Sequence, residues 1–395
     1  PLAEGANVSL LGVNAYDGIV AGIGAGFVNS SYKVNLDEGL RNAGFILNPK
    51  TDAVYRRYMD YSEALLGEEN SRKHLGDRTF PAEAFLSDAF LGMRAADSDI
   101  AVISFGRLSG EYNDRYTRDF YLHEDELDLL RRTCAAFHSR GRKVVVVLNV
   151  CGVVETASWK DLPDAILVNW LPGQELGNAT AAVLSAQVNP SGRLPMTFPL
   201  DYRDHLSSEN YPFDYTSKRS DWEYDAPERK IRNLGWTEYL EGVDVGYRYF
   251  CTKAPEKISF PFGFGLSYTS FEWSDAALTR KGNDFFVTLR VTNTGDYPGR
   301  DVVQLYASAP ESEMYKPVRE LKAFAKTPVL APGSSATLEF TFSAYDLASF
   351  DESLSAFVSQ EGTYSIQLNR DASTIVKTLP LTMKKTLRWP VTRAE

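Results

Sequence analysis

The hydrophobic period of this chain changes partway along it, and that change limits the folds open to it. Up to about residue 200, short runs that are apolar at consecutive positions alternate with segments of helical spacing. A strand that is apolar on both faces is buried on both, which requires a parallel sheet covered by helices. From about Asp275 the period is two and turn residues separate the runs, the mark of strands that bury one face only.

In the first region strands are expected near Val8–Val13, Phe45–Leu47, Ile100–Phe105, Val144–Val150 and Ala165–Val168. Leu36, Leu40 and Ala43 keep helical spacing, as do Leu127, Leu129 and Leu130 before Ala135 and Ala136. A helix from about Glu175 to Gln187 is stopped by Asn189-Pro190-Ser191-Gly192. In the last region Phe285–Val291, Val302–Tyr306, Leu321–Ala325, Ala336–Phe342 and Thr363–Leu368 alternate between turns such as Asn293-Thr294-Gly295-Asp296 and Ala331-Pro332-Gly333. Strands so spaced, with no helix between them, predict a sandwich of the immunoglobulin or fibronectin type III kind. The expected order is an α/β sandwich domain with a mostly parallel sheet over residues 1–200, a connector over 201–274, and an all-β fibronectin type III-like sandwich over 275–395.

Charge removes some partners. With 42 Lys+Arg against 52 Asp+Glu the net charge is −10, which repels phosphate backbones, so no nucleic-acid partner is expected. The longest apolar run, Val144 to Val154, is interrupted by Asn149 and is far shorter than the roughly 20 residues of a membrane span. No membrane partner is expected either. Cys134, Cys151 and Cys251 lie far apart and the 4 histidines are scattered, so no disulfide framework, metal site or cofactor is indicated. No charged-then-apolar leader opens the chain, so either it is cytoplasmic, the expectation taken here, or its start has been removed.

Ligands of open α/β sheets sit at the carboxyl ends of the strands, which directs attention to the loops there. Gly22-Ile23-Gly24-Ala25-Gly26 follows the first strand and loosely echoes a dinucleotide fingerprint, but it comes nearly ten residues after Val13, and the ordinary reading is a flexible loop whose glycines supply positive φ. After Ile100–Phe105 comes Gly106-Arg107-Leu108-Ser109-Gly110-Glu111-Tyr112-Asn113-Asp114-Arg115. A carboxylate between two arginines can be tuned for proton transfer, or Glu111 and Asp114 can simply be solvated or paired with Arg107 and Arg115. Ser220-Asp221-Trp222 would suit a carboxylate nucleophile but lies in the irregular connector, with no strand leading into it. Cys151 reads as a buried, inert thiol.

Five segments carry a resemblance. Arg107-Leu108-Ser109-Gly110-Glu111, Trp170-Leu171-Pro172-Gly173-Gln174-Glu175, Asn189-Pro190-Ser191-Gly192-Arg193-Leu194-Pro195, Val245-Gly246-Tyr247-Arg248-Tyr249-Phe250 and Pro261-Phe262-Gly263-Phe264-Gly265-Leu266-Ser267-Tyr268-Thr269 occur in that order. Together they resemble the non-barrel half of glycoside hydrolase family 3, the β-glucosidase-type enzymes, and with the flanking patterns the resemblance covers nearly the whole chain. It implies a (β/α)8 barrel carrying an aspartate nucleophile, an α/β sandwich domain supplying the acid/base from a loop, and a fibronectin-like domain. The chain matches the second and third parts. A barrel needs about 250 residues, and no stretch here can hold one. Asn29 through Gly44, Asn48-Pro49 and Arg118-Asp119-Phe120-Tyr121-Leu122 resemble the subgroup whose barrel follows the fibronectin-like domain, which implies that Pro1–Glu395 is the amino-terminal part of a longer enzyme.

The resemblance assigns Glu111 the acid/base role and makes Arg107, Ser109 and Tyr112 the candidate substrate contacts, Tyr112 by stacking on a sugar. The chain departs from the family where Ala25 and Tyr112 stand in place of a serine and a glycine. The implied chemistry is retaining hydrolysis of terminal non-reducing β-D-glycosyl residues, with a β-linked glucoside or oligosaccharide and the missing barrel as partners. Glu111 would have to carry its proton when substrate arrives, which burial beneath a barrel mouth favours and Arg107 and Arg115 oppose. Without the nucleophile, the isolated chain is expected to be inactive. The rival class is a non-catalytic carbohydrate-binding or scaffold protein, which a natural reading frame stopping at Glu395 would favour, and a nucleotide-binding protein is a third. Sugar and linkage preference and homo-oligomerisation are left open by the sequence.

Overall fold

Five apolar runs become one parallel sheet in the computed structural model of the chain, which describes residues 1–73, 77–111, 115–209 and 241–391. The strands are β1 (Asn7–Leu11), β2 (Ile46–Leu47), β3 (Ile100–Arg107), β4 (Lys143–Val150) and β5 (Ala165–Val168), in the order β2-β1-β3-β4-β5. β3 and β4 are buried along almost their whole length, as their unbroken apolar sequence requires. The helices are α1 (Val13–Tyr16), α2 (Leu36–Asn42), α3 (Pro49–Ser71), α4 (Asp88–Asp97), α5 (Glu124–His138) and α6 (Leu176–Leu184). α2 packs on α6 so closely that a Cβ on Gly39 would lie 2.0 Å from the Gly177 carbonyl carbon. The expected first strand is shorter than its apolar run, because Gly12 at φ +94° turns the chain into α1.

Helix α3 was not expected from the sequence, although it has 23 residues. Its buried side chains, Thr51, Tyr55 and Ser62, are polar or aromatic and show no apolar period. The signal it does carry lies at its start: Asn48 Oδ1 accepts from the amides of Lys50 at 3.1 Å and Thr51 at 3.4 Å, and Pro49 occupies the first helical position.

The described residues fall into two compact units, Pro1–Pro190 and Ser191–Glu395. In the second, β6 (Phe198–Pro199) pairs with β7 (Ile258–Phe260), and α7 (Tyr247–Lys253) precedes β7. A sandwich follows, with sheets β11-β10-β15-β16 and β12-β9-β8. Its strands are β8 (Phe271–Lys281), β9 (Asp284–Asn293), β10 (Val302–Ser308), β11 (Glu320–Lys326), β12 (Ser335–Ser343), β15 (Gly362–Asn369) and β16 (Ile375–Met383). A small third sheet joins β13 (Ser349–Asp351), β14 (Ala356–Ser359) and β17 (Leu387–Pro390). On β9 the period-two pattern is realised in full: Phe285, Val287, Leu289 and Val291 are buried, whereas Phe286 and Arg290 are exposed. Each buried side chain of this size contributes about 1.5–3 kcal/mol. Much of the expected connector, with Ser220-Asp221-Trp222, lies outside the described residues. No described helix is long and apolar enough to cross a membrane.

Candidate active site

The strand order places a topological switch point between β1 and β3, since β1 leads to one side of the sheet and β3 to the other. The loops that leave these two strands meet there. Ile23, after β1, forms a parallel bridge with Gly110, after β3, and the Glu111 amide donates to the Ile23 carbonyl at 3.4 Å. Glu111 itself is exposed, and its Oε2 accepts from the Ala25 amide at 2.7 Å.

The glycine cluster and the glutamate, expected as separate candidates, are thus one site. Gly24–Gly26 form a turn of 3-10 helix, and Gly24 supplies the expected positive φ, at +66°. The loop does not present the Ala25 amide to a phosphate, since the Glu111 carboxylate takes it.

Arg107 and Arg115 do not flank the Glu111 carboxylate as an ion pair. Arg107 is buried, and its fork meets Glu126 on α5, with Nη1 to Oε1 at 2.8 Å and Nη2 to Oε2 at 2.6 Å. Its remaining N–H groups donate to the carbonyls of Asp119 at 3.0 Å, Gly106 at 2.7 Å and Tyr121 at 2.8 Å. All five guanidinium N–H groups are therefore taken by protein acceptors. Arg115 donates to the Val153 carbonyl at 2.7 Å and also to the Asp119 carbonyl. Two guanidinium groups so converge on one carbonyl oxygen. Burial, with Arg107 nearby, pushes the Arg115 guanidinium below its ordinary value. Burial works against ionisation of Asp119, yet bonds from His123 at 3.1 Å and the Tyr116 amide at 3.0 Å hold its carboxyl below the usual carboxylate range.

Ser109 Oγ lies 3.1 Å from Cys151 Sγ, and Cys151 is half-buried rather than fully enclosed as expected. Tyr112 falls outside the described residues.

Asn149, which the sequence showed only as a break in an apolar run, holds the edge together. It is fully buried, accepts from the Ile19 amide at 2.6 Å, and donates to the carbonyls of Ile19 at 2.9 Å and Trp170 at 2.6 Å. A lone amide in an apolar strand has to be satisfied by such partners, and that was the available signal. Asp17 anchors the other end of the β1 loop through Lys33 at 2.6 Å and Arg78 at 2.6 Å. Burial opposes ionisation of Asp17, but Arg78 and Lys33 draw its pKa below the ordinary carboxylate value. Beyond the glycine turn, Phe27, Val28 and Tyr32 are exposed beside the site.

The chain matches the family model described as the glycosyl hydrolase family 3 C-terminal domain over residues 1–268, and a fibronectin type III-like domain over residues 301–372. It is similar to a β-glucosidase of Ruminococcus albus, 31% identical over 98% of this chain and 39% of that protein. It is also similar to β-glucosidase A of Butyrivibrio fibrisolvens, 32% identical over 89% of this chain and 44% of that protein. Among solved structures, β-glucosidase 3B from Thermotoga neapolitana in complex with α-D-glucose matches with a TM-score of 0.89 and 34% identity, covering 99% of this chain and 52% of that one. The chain spans about half or less of the length of these relatives.

Proposed function

Because the chain belongs to glycosyl hydrolase family 3, we propose that it is the non-barrel part of a retaining β-glycosidase in which Glu111 is the general acid/base. The observation that carries this reading is the placement of Glu111 at the β1/β3 switch point, where its carboxylate bonds the Ala25 amide. A proton-transfer group has to be held in reach of its substrate, and Glu111 is itself tied to the β1 loop through the Ala25 amide and the Ile23 carbonyl. With Oε2 bonded to the Ala25 amide, Oε1 is the oxygen through which the proton passes.

Retaining hydrolysis needs a second carboxylate about 5–5.5 Å away to attack the anomeric carbon. That nucleophile belongs to a barrel outside this chain, and the exposed Phe27, Val28 and Tyr32 form part of the surface it covers. The substrate is a terminal non-reducing β-D-glycosyl residue, in keeping with the names of the relatives. Ser109 and Tyr112 contact the sugar, whereas Arg107, whose N–H groups are all occupied, holds the loop. Cys134, Cys151 and Cys251 are free thiols, which suits a reducing, cytoplasmic setting.

Leaving-group dependence tests the assignment. In the complete enzyme, Glu111→Gln should slow hydrolysis of natural disaccharides about 10²–10⁴-fold, because an alkoxide needs the proton, and spare the first step with dinitrophenyl glucoside. Equal loss with both substrates would make Glu111 structural.

A further inference from the structure

Helix α3 buries Thr51, Tyr55 and Ser62 within its own unit and carries a second stripe outside. Lys50, Val54, Arg57, Tyr61, Ala64 and Glu68 recur at steps that alternate between four and three residues, so they lie along one face of the helix. All are exposed except Val54, which is half-buried. A groove of about 540 Å³ runs beside the first part of the stripe, walled by Tyr58 and by Phe90 of α4. Among the described residues no ion pair takes Lys50 or Arg57, and Glu68 pairs only with Arg72 one turn on, both highly exposed. Such a surface pair contributes little and is readily exchanged.

We propose that this stripe is the seam of a symmetric dimer formed with a second copy of the chain. The stripe is positive at its start and negative at its end, which makes it complementary to itself when two copies run antiparallel. With the two-fold axis at Met59, Lys50 faces Glu68 of the second copy, Val54 faces Ala64, and Arg57 faces the ring of Tyr61 in a cation–π contact. Every seam position then meets another seam position. A parallel pair would instead set Lys50 on Lys50 and Glu68 on Glu68. The seam runs about 27 Å along the helix, at the small end for a specific interface, so the dimer is weak, with a Kd in the micromolar range.

Charge reversal in the complete protein, where any barrel-facing surface is covered, tests the register. Sedimentation should show a monomer–dimer equilibrium that Tyr61→Glu abolishes. Lys50→Glu and Glu68→Lys should each weaken self-association about tenfold, because like charges then face each other twice. Mixed together, the two variants should associate again, since each supplies the charge the other lacks. These side chains are exposed, so far-UV circular dichroism should show no loss of helix. A chain that stays monomeric above about 100 μM would overturn the proposal. So would association that ignores all three changes, which would place the contact on another face, and so would a mixture that fails to restore it.

Discussion

Gly24 and Glu111 touch across the switch point: a Cβ at position 24 would lie 2.5 Å from Glu111 Cβ and 2.8 Å from its Oε2. Gly24 also holds φ +66°, a region where L side chains are strained. The candidate acid therefore rests against a residue that cannot acquire a side chain without displacing it. Gly24→Ala should lower kcat of the complete enzyme on natural disaccharides about 10²-fold, the usual effect of a shift near 1 Å in a reacting group. Loss of stability should be small, about 1–2 kcal/mol for the positive φ. Unchanged kcat would mean that the contact does not fix Glu111.

The Arg107–Glu126 pair should behave as a buried lock. Glu126→Gln leaves the Arg107 charge uncompensated in a site where Arg107 is 6% exposed, and should cost about 3–5 kcal/mol in denaturant titrations. Arg107→Met with Glu126→Leu removes both charges and should cost less than either single change. Additive losses would contradict a direct pairing.

Glu83 gives the α/β unit a pH dependence. Burial raises its pKa to about 7, against opposing bonds from the amides of Val13 at 3.1 Å and Ala84 at 2.8 Å and from the Tyr55 hydroxyl at 2.9 Å. Between the unfolded value near 4.5 and about 7 the native chain holds a proton that the unfolded chain has released. Stability should therefore fall as pH rises through that window, by at most about 3 kcal/mol, and level off above it. Glu83→Gln should lack this fall. Urea midpoints measured from pH 5 to 8 will show it, and parallel profiles for the two proteins would exclude Glu83 as its source.

On the proposed reading, in which Glu111 is the acid/base and the nucleophile lies on a barrel, the 395-residue chain alone should fold and yet not hydrolyse aryl β-glucosides. Turnover by the pure chain, abolished by changing Asp221, would instead assign the nucleophile to Ser220-Asp221-Trp222.

The central strands β3 and β4 were legible because burial on both faces leaves an unbroken apolar run, as in Val144–Leu148, whereas the edge strands β2 and β5 are apolar in sequence but only partly buried. The sandwich was legible from alternation, although β8 begins at Phe271, ahead of the residue where the period-two pattern becomes plain. Glu111 could be singled out because it follows a strand directly. Its setting could not. The partner of Arg107 is Glu126 in the first turn of α5, not the nearer Glu111, and Asp114 lies outside the described residues. Ala25 and Gly24 reach Glu111 only because β1 and β3 are adjacent in the sheet. Sequence proximity proposed an ion pair that the topology replaced with another.

In the proposed mechanism Glu111 delivers and removes one proton. If so, Glu111→Gln in the complete enzyme lacks the base for the second step, and a glycosyl-enzyme formed from dinitrophenyl glucoside should accumulate. Azide needs no base, so adding it should restore turnover and yield a β-glycosyl azide, identifiable by NMR. No rescue by azide, with no glycosyl azide formed, would contradict the account.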